Sequence, residues 1–142
     1  MAINFDLNKQ ISPLDLNKNM AIGVAYPFDS TDDAVFRQSF TQKEALKANL
    51  NNLLLTEPGE RVMEPTYGIG LKSLVFESDP DPEELKYRIH DAILIFIPDI
   101  SLISVDTNFI EDQHILQVKI AYQILTNGDV DAIQVNYNSQ TM

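Results

Sequence analysis

The sequence predicts an α+β protein in which an antiparallel sheet of about three to five strands packs on two main helices in two layers. Two stretches carry apolar residues at helical spacing, and each begins with residues that cap helices. Three later stretches alternate apolar and polar residues and are separated by turn residues. With 142 residues and 44% hydrophobic content, the chain is long enough for one domain with a buried core.

The N-terminal region is predicted to be an extended arm over residues 1–20, because it is Asn-rich with isolated apolar residues. A single domain is expected over residues 21–142. Its first strand is predicted over residues 21–28, with Pro27 near its end. The apolar side chains that alternate there are Ile22, Val24, Tyr26 and Phe28. Residues 29–33 are expected to form a loop.

The first helix is predicted to start at Thr41, because Thr41 and Glu44 have the spacing of a capping box. It is expected to end near Thr56, since Pro58 disfavours helical backbone at Glu57. One face of this helix is apolar and consists of Ala45, Leu46, Leu50, Leu53 and Leu54.

The second helix has a clear start at Asp81, with Pro82 at the first helical position and Glu83 and Glu84 in the first turn. Pro98 is expected to end it. Its apolar face consists of Leu85, Ile89, Ala92, Ile93 and Phe96.

Three antiparallel strands are predicted after this helix. The first has alternating Ile103, Val105, Thr107 and Phe109, and a turn follows at residues 111–113. The second alternates through Leu116, Val118, Ile120, Tyr122 and Ile124. A hairpin turn at Asn127-Gly128 leads to the last strand, which carries Ile133, Val135 and Tyr137.

Composition limits the classes of partner and of site that the protein is expected to have. The formal net charge of −11 disfavours nucleic acid and anionic membranes, and it suits either a basic protein partner or solubility alone. The absence of Cys excludes disulfides and thiolate metal sites. The N-terminus has no signal-peptide pattern, and the longest apolar run, residues 92–98, is too short to span a bilayer.

The sequence has no pattern of a metal, cofactor or nucleotide site. The two histidines, His90 and His114, have no His or Cys partner at ligand spacing. Gly68-Ile69-Gly70 lacks the third glycine of a dinucleotide fingerprint, and we interpret it as a turn. No cofactor is therefore expected.

Residues 53–71 hold two of the seven prolines and three of the five glycines, which indicates a fixed backbone path. The carboxylates of Glu57, Glu60 and Glu64 could form a glycosidase pair, if one were kept protonated. Arg61 lies among them, however, and pairing would keep them ionised. We therefore expect no catalytic residue here. Arg61 is expected to tie the segment to acids or carbonyls, with Tyr67 and Phe76 as core anchors; the alternative is a solvated Arg61.

This segment resembles the baseplate wedge and sheath-initiator family of contractile phage tails, which has a relative in the type VI secretion baseplate. The family pattern is Leu-Leu-x-Thr-x-Pro-Gly-Glu-Arg, an apolar pair, Pro-x-Phe/Tyr-Gly and Leu-x-x-Leu-Phe-Glu. The matching motif residues, over residues 53–77, are Leu53, Leu54, Thr56, Pro58, Gly59, Glu60, Arg61, Val62, Met63, Pro65, Tyr67, Gly68, Leu71, Leu74, Phe76 and Glu77. The resemblance covers about residues 20–138.

One corner departs from the family pattern. The family often carries Glu-Pro-Arg after its second helix, a motif associated with docking on the wedge core, where this chain has Ile97-Pro98-Asp99. If this corner binds a partner, the contact is expected to be apolar at Ile97 or to place a reversed charge opposite Asp99.

The resemblance implies a non-enzymatic structural protein that links the wedge core to the first sheath ring and initiates sheath assembly. It implies six copies around the tube, with tail sheath protein, wedge core proteins and the tail tube as partners. The location implied is the virion tail baseplate, reached from the host cytoplasm. A phage tail, a bacteriocin and a secretion system all remain open, as do two alternatives: a peptidoglycan glycosidase and a small regulatory protein-binding module.

Sheath initiation suggests that a sheath arm adds to an exposed strand, either the N-terminal arm or the last strand over residues 132–138. The last-strand candidates are Gln134, Val135, Asn136 and Tyr137. Deletion of residues 134–142 is expected to leave a folded core while abolishing sheath assembly.

Overall fold

The computed structural model describes residues 13–16, 19–25, 38–75 and 81–138. These residues form three α-helices and two antiparallel sheets, which confirms the predicted α+β class. The helices are α1 (Gln42–Leu55), α2 (Leu71–Val75) and α3 (Pro82–Phe96). The strands are β1 (Gly23–Val24), β2 (Gln38–Ser39), β3 (Ile100–Ile110), β4 (Ile115–Ile124) and β5 (Val130–Asn138).

Both main helices start where their capping residues predict. Thr41 accepts a hydrogen bond from the Glu44 amide at 3.3 Å, and the Asp81 carboxylate accepts one from the Glu83 amide at 3.0 Å. The Glu44 carboxylate reaches back to the amide of Phe40, at 3.4 Å. The two N-terminal caps therefore satisfy amides that have no partner within the helix.

The larger sheet has the order β3-β4-β5 and is antiparallel throughout, as predicted. A 3₁₀ turn at Glu111–Gln113 joins β3 to β4, with His114 in left-handed conformation. Gly128 has a φ of 75° in the loop between β4 and β5, at the predicted Asn-Gly turn. Alternation along β4 is complete, and its buried side chains are Leu116, Val118, Ile120, Tyr122 and Ile124.

A β-bulge between Leu102 and Ser104 corrects the predicted pattern of β3. Ile103 was expected to alternate with Val105 on one face, yet Ile103 is 55% exposed while Val105 is buried. The bulge inserts one extra residue. Even-numbered residues of β3 therefore face the core before the bulge, and odd-numbered residues face it afterwards.

One core joins the helices to the sheet. The helix α3 lies against β3, whereas α1 and α2 lie against β5. The helical residues that complete this core include Leu46, Leu50, Leu53, Leu54, Leu71, Leu74, Leu85, Ile89 and Ile93.

Three elements were not predicted: the strand β2, the short helix α2, and a 3₁₀ helix at Pro13–Leu16 within the arm that was predicted to be extended. In the described residues the first strand is only Gly23–Val24, paired with Gln38–Ser39. Asp15 of the arm accepts a 2.6 Å hydrogen bond from the Gln42 amide, which adds a second cap to α1. Predictions for residues 1–12, 26–33 and 76 lie outside the described residues.

The segment between α1 and α2, residues 56–70, reverses the chain and is called the elbow below. The Ile69 amide donates to the Thr56 carbonyl at 3.1 Å, which closes the elbow against the end of α1. Gly68, between them in space, has a φ of 116°, and a Cβ built there would lie 2.3 Å from the Thr56 carbonyl oxygen. The close approach therefore requires glycine at this position.

Replacing Gly68 with alanine is expected to destabilise the protein by about 3 kcal/mol, because it adds both a backbone strain and a collision with backbone. The measurement is the free energy of unfolding in urea.

Gly59→Ala is the matched control, since Gly59 also has a positive φ of 92° but has no neighbour within 4 Å of a built Cβ. It is expected to cost about 1–2 kcal/mol from backbone strain alone. Equal losses for the two variants would contradict a special close approach at Gly68.

Candidate functional site

The elbow carries the motif residues and is braced by its own backbone. The Gly59 amide donates to the Pro65 carbonyl at 2.8 Å, which closes the tip of the elbow into a loop. A second bond, from the Tyr67 amide to the Glu64 carbonyl at 3.1 Å, turns the chain at the end of this loop. The tip therefore has a defined shape that does not depend on a partner.

Arg61 lies on an aromatic side chain. Its guanidinium carbon is 3.7 Å from the centre of the Tyr67 ring, and Nη1 is 3.5 Å from a Glu64 carboxylate oxygen. Tyr67 is 7% exposed and packs edge-on against Phe96 of α3, with ring centres 5.0 Å apart. The Arg61–Tyr67–Phe96 stack thus connects the elbow tip to α3.

The environment of the Tyr67 hydroxyl also reflects this stack. Burial raises the pKa of Tyr67, which the Arg61 guanidinium partly opposes and the Glu64 carboxylate reinforces. The phenol is therefore neutral at physiological pH, and its ring is the part that Arg61 contacts.

The three elbow carboxylates each have an internal partner. Glu57 accepts a 2.6 Å hydrogen bond from the Lys72 amide in the first turn of α2. Glu60 accepts one from the Glu57 amide at 3.3 Å, and Glu64 forms the ion pair with Arg61. These carboxylates hold the elbow together, which is a structural use of the acids that we had considered as a glycosidase pair.

The tip of the elbow exposes the apolar pair of the motif. Val62 and Met63 are 92% and 93% exposed, although both flanking segments are internally bonded. Sequence reasoning recorded the pair as part of a pattern and assigned it no role. The available signal was two large apolar residues between charged residues in a segment rich in proline and glycine.

A groove of about 510 Å³ lies between the elbow and α3. Its lining combines apolar side chains with one charged residue of each sign: Pro58, Thr66, Gly68, Ile69, Arg88, Asp91, Ala92, Ile95 and Phe96.

The corner after α3 only partly suits the expected contact. Ile97 is 5% exposed and belongs to the core, so its side chain is not available for the apolar partner contact that we had expected there. Pro98 and Asp99 are both exposed. The expectation is therefore corrected: an interaction at this corner would have to use Pro98 and Asp99.

The last strand is an edge among the described residues, since β5 pairs only with β4. The Ile124 amide donates to the Asp129 carbonyl at 2.8 Å, so alternation turns the amides of Gln134 and Asn136 away from β4. Their side chains are exposed, while Val135 is 7% exposed in the core. Deleting residues 134–142 would also remove Val135 from the core, so a single substitution in β5 tests the edge with less disturbance of the core.

The elbow lies beside the end of β5. Burial raises the pKa of the Tyr137 hydroxyl, and the negative charges of Glu57 and Glu60 raise it further. The first turn of α2 donates its Lys72 amide to Glu57, and α2 itself lies against β5. The end of the elbow and β5 are therefore adjacent in the fold.

Within the described residues, no group of three or more His, Asp or Glu side chains could hold a metal ion. In that same part of the chain, no helix has the length and apolar character to cross a membrane.

Similar proteins were found among solved structures, whereas a comparison with curated proteins gave no match. A Geobacter sulfurreducens protein, provisionally named a tail lysozyme, is 24% identical with a TM-score of 0.59. That match covers 68% of this chain and 89% of the other and indicates a shared fold. A chain of the anti-feeding prophage baseplate, solved with six-fold symmetry, is 25% identical with a TM-score of 0.50. This match covers 82% of our chain and 84% of the baseplate chain.

The family described as baseplate wedge protein gp25 matches residues 41–129, from the cap of α1 to the turn before β5. This region is more than half of the chain and includes the elbow, α3 and the corner that follows it. The chain therefore belongs to the baseplate wedge protein gp25 family.

Proposed function

We propose that this protein is a non-enzymatic structural component of the baseplate of a contractile injection machine. In this role it links the wedge core to the first sheath ring and initiates sheath assembly. The observation that carries the proposal is the family match over residues 41–129, and the resemblance to the anti-feeding prophage baseplate supports it. The proposed partners are wedge core proteins, the tail sheath protein and the tail tube.

The six-fold symmetry of that baseplate supports a ring of six copies around the tube. The proposed location is the baseplate of a tail-like particle assembled in the host cytoplasm, and this particle is a phage tail, a bacteriocin or a secretion system. Genes for sheath and wedge proteins beside this one would test the assignment at once.

The β5 edge is the proposed site of the sheath arm. An added strand needs a row of free amides and carbonyls in regular register. The pairing of β5 with β4 has no bulge, which favours a regular outer edge, whereas the other edge, β3, is bulged at Leu102. A bulge protects an edge from further pairing, so the asymmetry favours addition at β5.

The exposed corner residues Pro98 and Asp99 are a proposed second contact, made with a wedge core protein. Asp99 stands where the family often has Arg, so a basic group on the partner would complement it.

The alternative of a peptidoglycan glycosidase is suggested by the name of the Geobacter protein. The elbow geometry favours the structural role, because the three carboxylates serve as backbone acceptors or as the partner of Arg61. A small regulatory protein-binding module is the other alternative, and no particular contact in the described residues favours it.

Replacing Gln134 with proline is expected to abolish sheath recruitment while leaving the fold intact. Proline removes the outward amide that an added strand would use, and it is tolerated on an edge strand. The measurements are the melting temperature and the length of sheath assembled on baseplates that contain the variant.

Gln134→Thr is the matched control, because it changes the same exposed side chain and retains the amide. It is expected to support normal sheath growth. Normal growth from the proline variant as well would exclude strand addition at this edge.

Arg61→Ala is expected to lower stability by about 1 kcal/mol, because it removes a partly exposed ion pair and the stack on Tyr67. Baseplate incorporation is expected to fall as the elbow loosens. Arg61→Lys should recover part of the stability, since lysine retains the charge but not the planar group. Unchanged melting and incorporation in Arg61→Ala would mean that Arg61 has no role in the elbow.

A turbidity assay on purified peptidoglycan separates the structural role from the glycosidase. We expect no clearing by the wild-type protein. Clearing that disappears in Glu57→Gln, Glu60→Gln or Glu64→Gln would instead identify a catalytic carboxylate and overturn the non-enzymatic proposal.

A further inference from the structure

We propose that Val62 and Met63 form an apolar anchor that inserts into a pocket with a basic rim on a wedge core protein. This inference rests on the proposed function and specifies how the protein contacts the wedge core. The anchor is distinct from the β5 edge and from the corner at Pro98 and Asp99.

The exposure of the pair is the first argument. The other exposed large hydrophobic residues in the described part of the chain range from 39% to 76% exposure, compared with 92% and 93% for Val62 and Met63. Single exposed apolar side chains are ordinary, but two adjacent ones extended fully into solvent provide a contact area that water does not favour. Burial of both would contribute most of their side-chain area to a complex.

The second argument is that the pair is held on a rigid support. The hydrogen bond between Gly59 and Pro65 closes the loop that carries it. The neighbouring Arg61 is stacked on buried Tyr67, which in turn packs on Phe96. An anchor that is already ordered loses little conformational entropy on binding, and this increases affinity for a given contact area.

The third argument is the charge around the pair. Residues 57–64 contain three glutamates and one arginine, a local net charge of −2, in a protein of net charge −11. Arg61 is already paired with Glu64, so the surroundings of the anchor are acidic. A complementary pocket therefore carries lysine or arginine at its rim, whereas an anionic membrane surface would be repelled.

The position of the anchor relates it to sheath initiation. Glu57 of the elbow accepts a hydrogen bond from the Lys72 amide in the first turn of α2, and α2 lies against β5. An elbow held by the wedge core at its tip would thus orient the β5 edge that we propose for the sheath arm.

The test uses the full chain with both anchor residues changed, Val62→Ser together with Met63→Ser. The probe is the purified wedge core complex of the same particle, and its affinity for the chain is measured by calorimetry. We expect about a 100-fold loss of affinity. The melting temperature is expected to stay within about 3 °C of wild type, because fully exposed residues contribute little to folding.

Ile103→Ser is the matched control, since Ile103 is a large apolar residue that is 55% exposed on the bulge of β3. It is expected to change the affinity by less than about threefold. Glu60→Gln is a charge control. At low salt it should associate with the wedge core more slowly than wild type, and at high salt the two association rates should differ less.

Four results would overturn the anchor. They are wild-type affinity of the double variant for the wedge core, loss of sheath binding alone, loss of binding to phosphatidylcholine or phosphatidylserine vesicles, and loss of a dimer that the wild type forms. The last three would assign the pair to the sheath, to a membrane or to a second copy of this chain.

The proposed function fails in a different way. It fails if the wild-type protein is absent from purified particles and has no affinity for the wedge core. Wild-type affinity of the double variant for the wedge core, by contrast, would overturn the anchor and leave the proposed function standing.

Discussion

The structure depends on the close passage of the chain over the end of α1. The Ile69 amide bonds to the Thr56 carbonyl, and the backbone at Gly68 lies against the same carbonyl group. Any side chain at Gly68 would separate the two segments. This contact directs Tyr67 into the core beside Phe96, and it sets the direction in which α2 begins.

The backbone path of the elbow decides the role of its three glutamates. Considered by residue type alone, Glu57, Glu60 and Glu64 could belong to a hydrolase. In the folded chain they accept hydrogen bonds from amides of the loop and of α2, or pair with Arg61. A loop that places three carboxylates in such positions is stabilised by their charge, and it can expose Val62 and Met63 without losing its shape.

The two edges of the sheet differ in a way that bears on assembly. The bulge in β3 disturbs the register of one edge, whereas the pairing along β5 is regular. Exposed edges promote unwanted pairing in most proteins. The regular β5 edge is therefore the one that the proposed strand addition would use.

The sequence by itself determined the local structure of this protein. Capping residues and apolar periodicity placed α1 and α3, alternation placed β3, β4 and β5, and the dense motif in the elbow indicated the family. These signals are local, since a cap or an alternating pattern acts over a few residues whatever lies elsewhere.

Only the tertiary structure decided which of these residues are available to partners. The burial of Ile97, the outward position of Ile103 and the exposure of Val62 and Met63 depend on packing between distant segments. A bulge, a core contact and a rigid loop tip each arise where two elements meet, so no periodicity within one element can encode them. The elbow could therefore be recognised from its residues. The exposure of its tip follows only from the folded path of the chain, in which the Ile69 amide bonds to the Thr56 carbonyl.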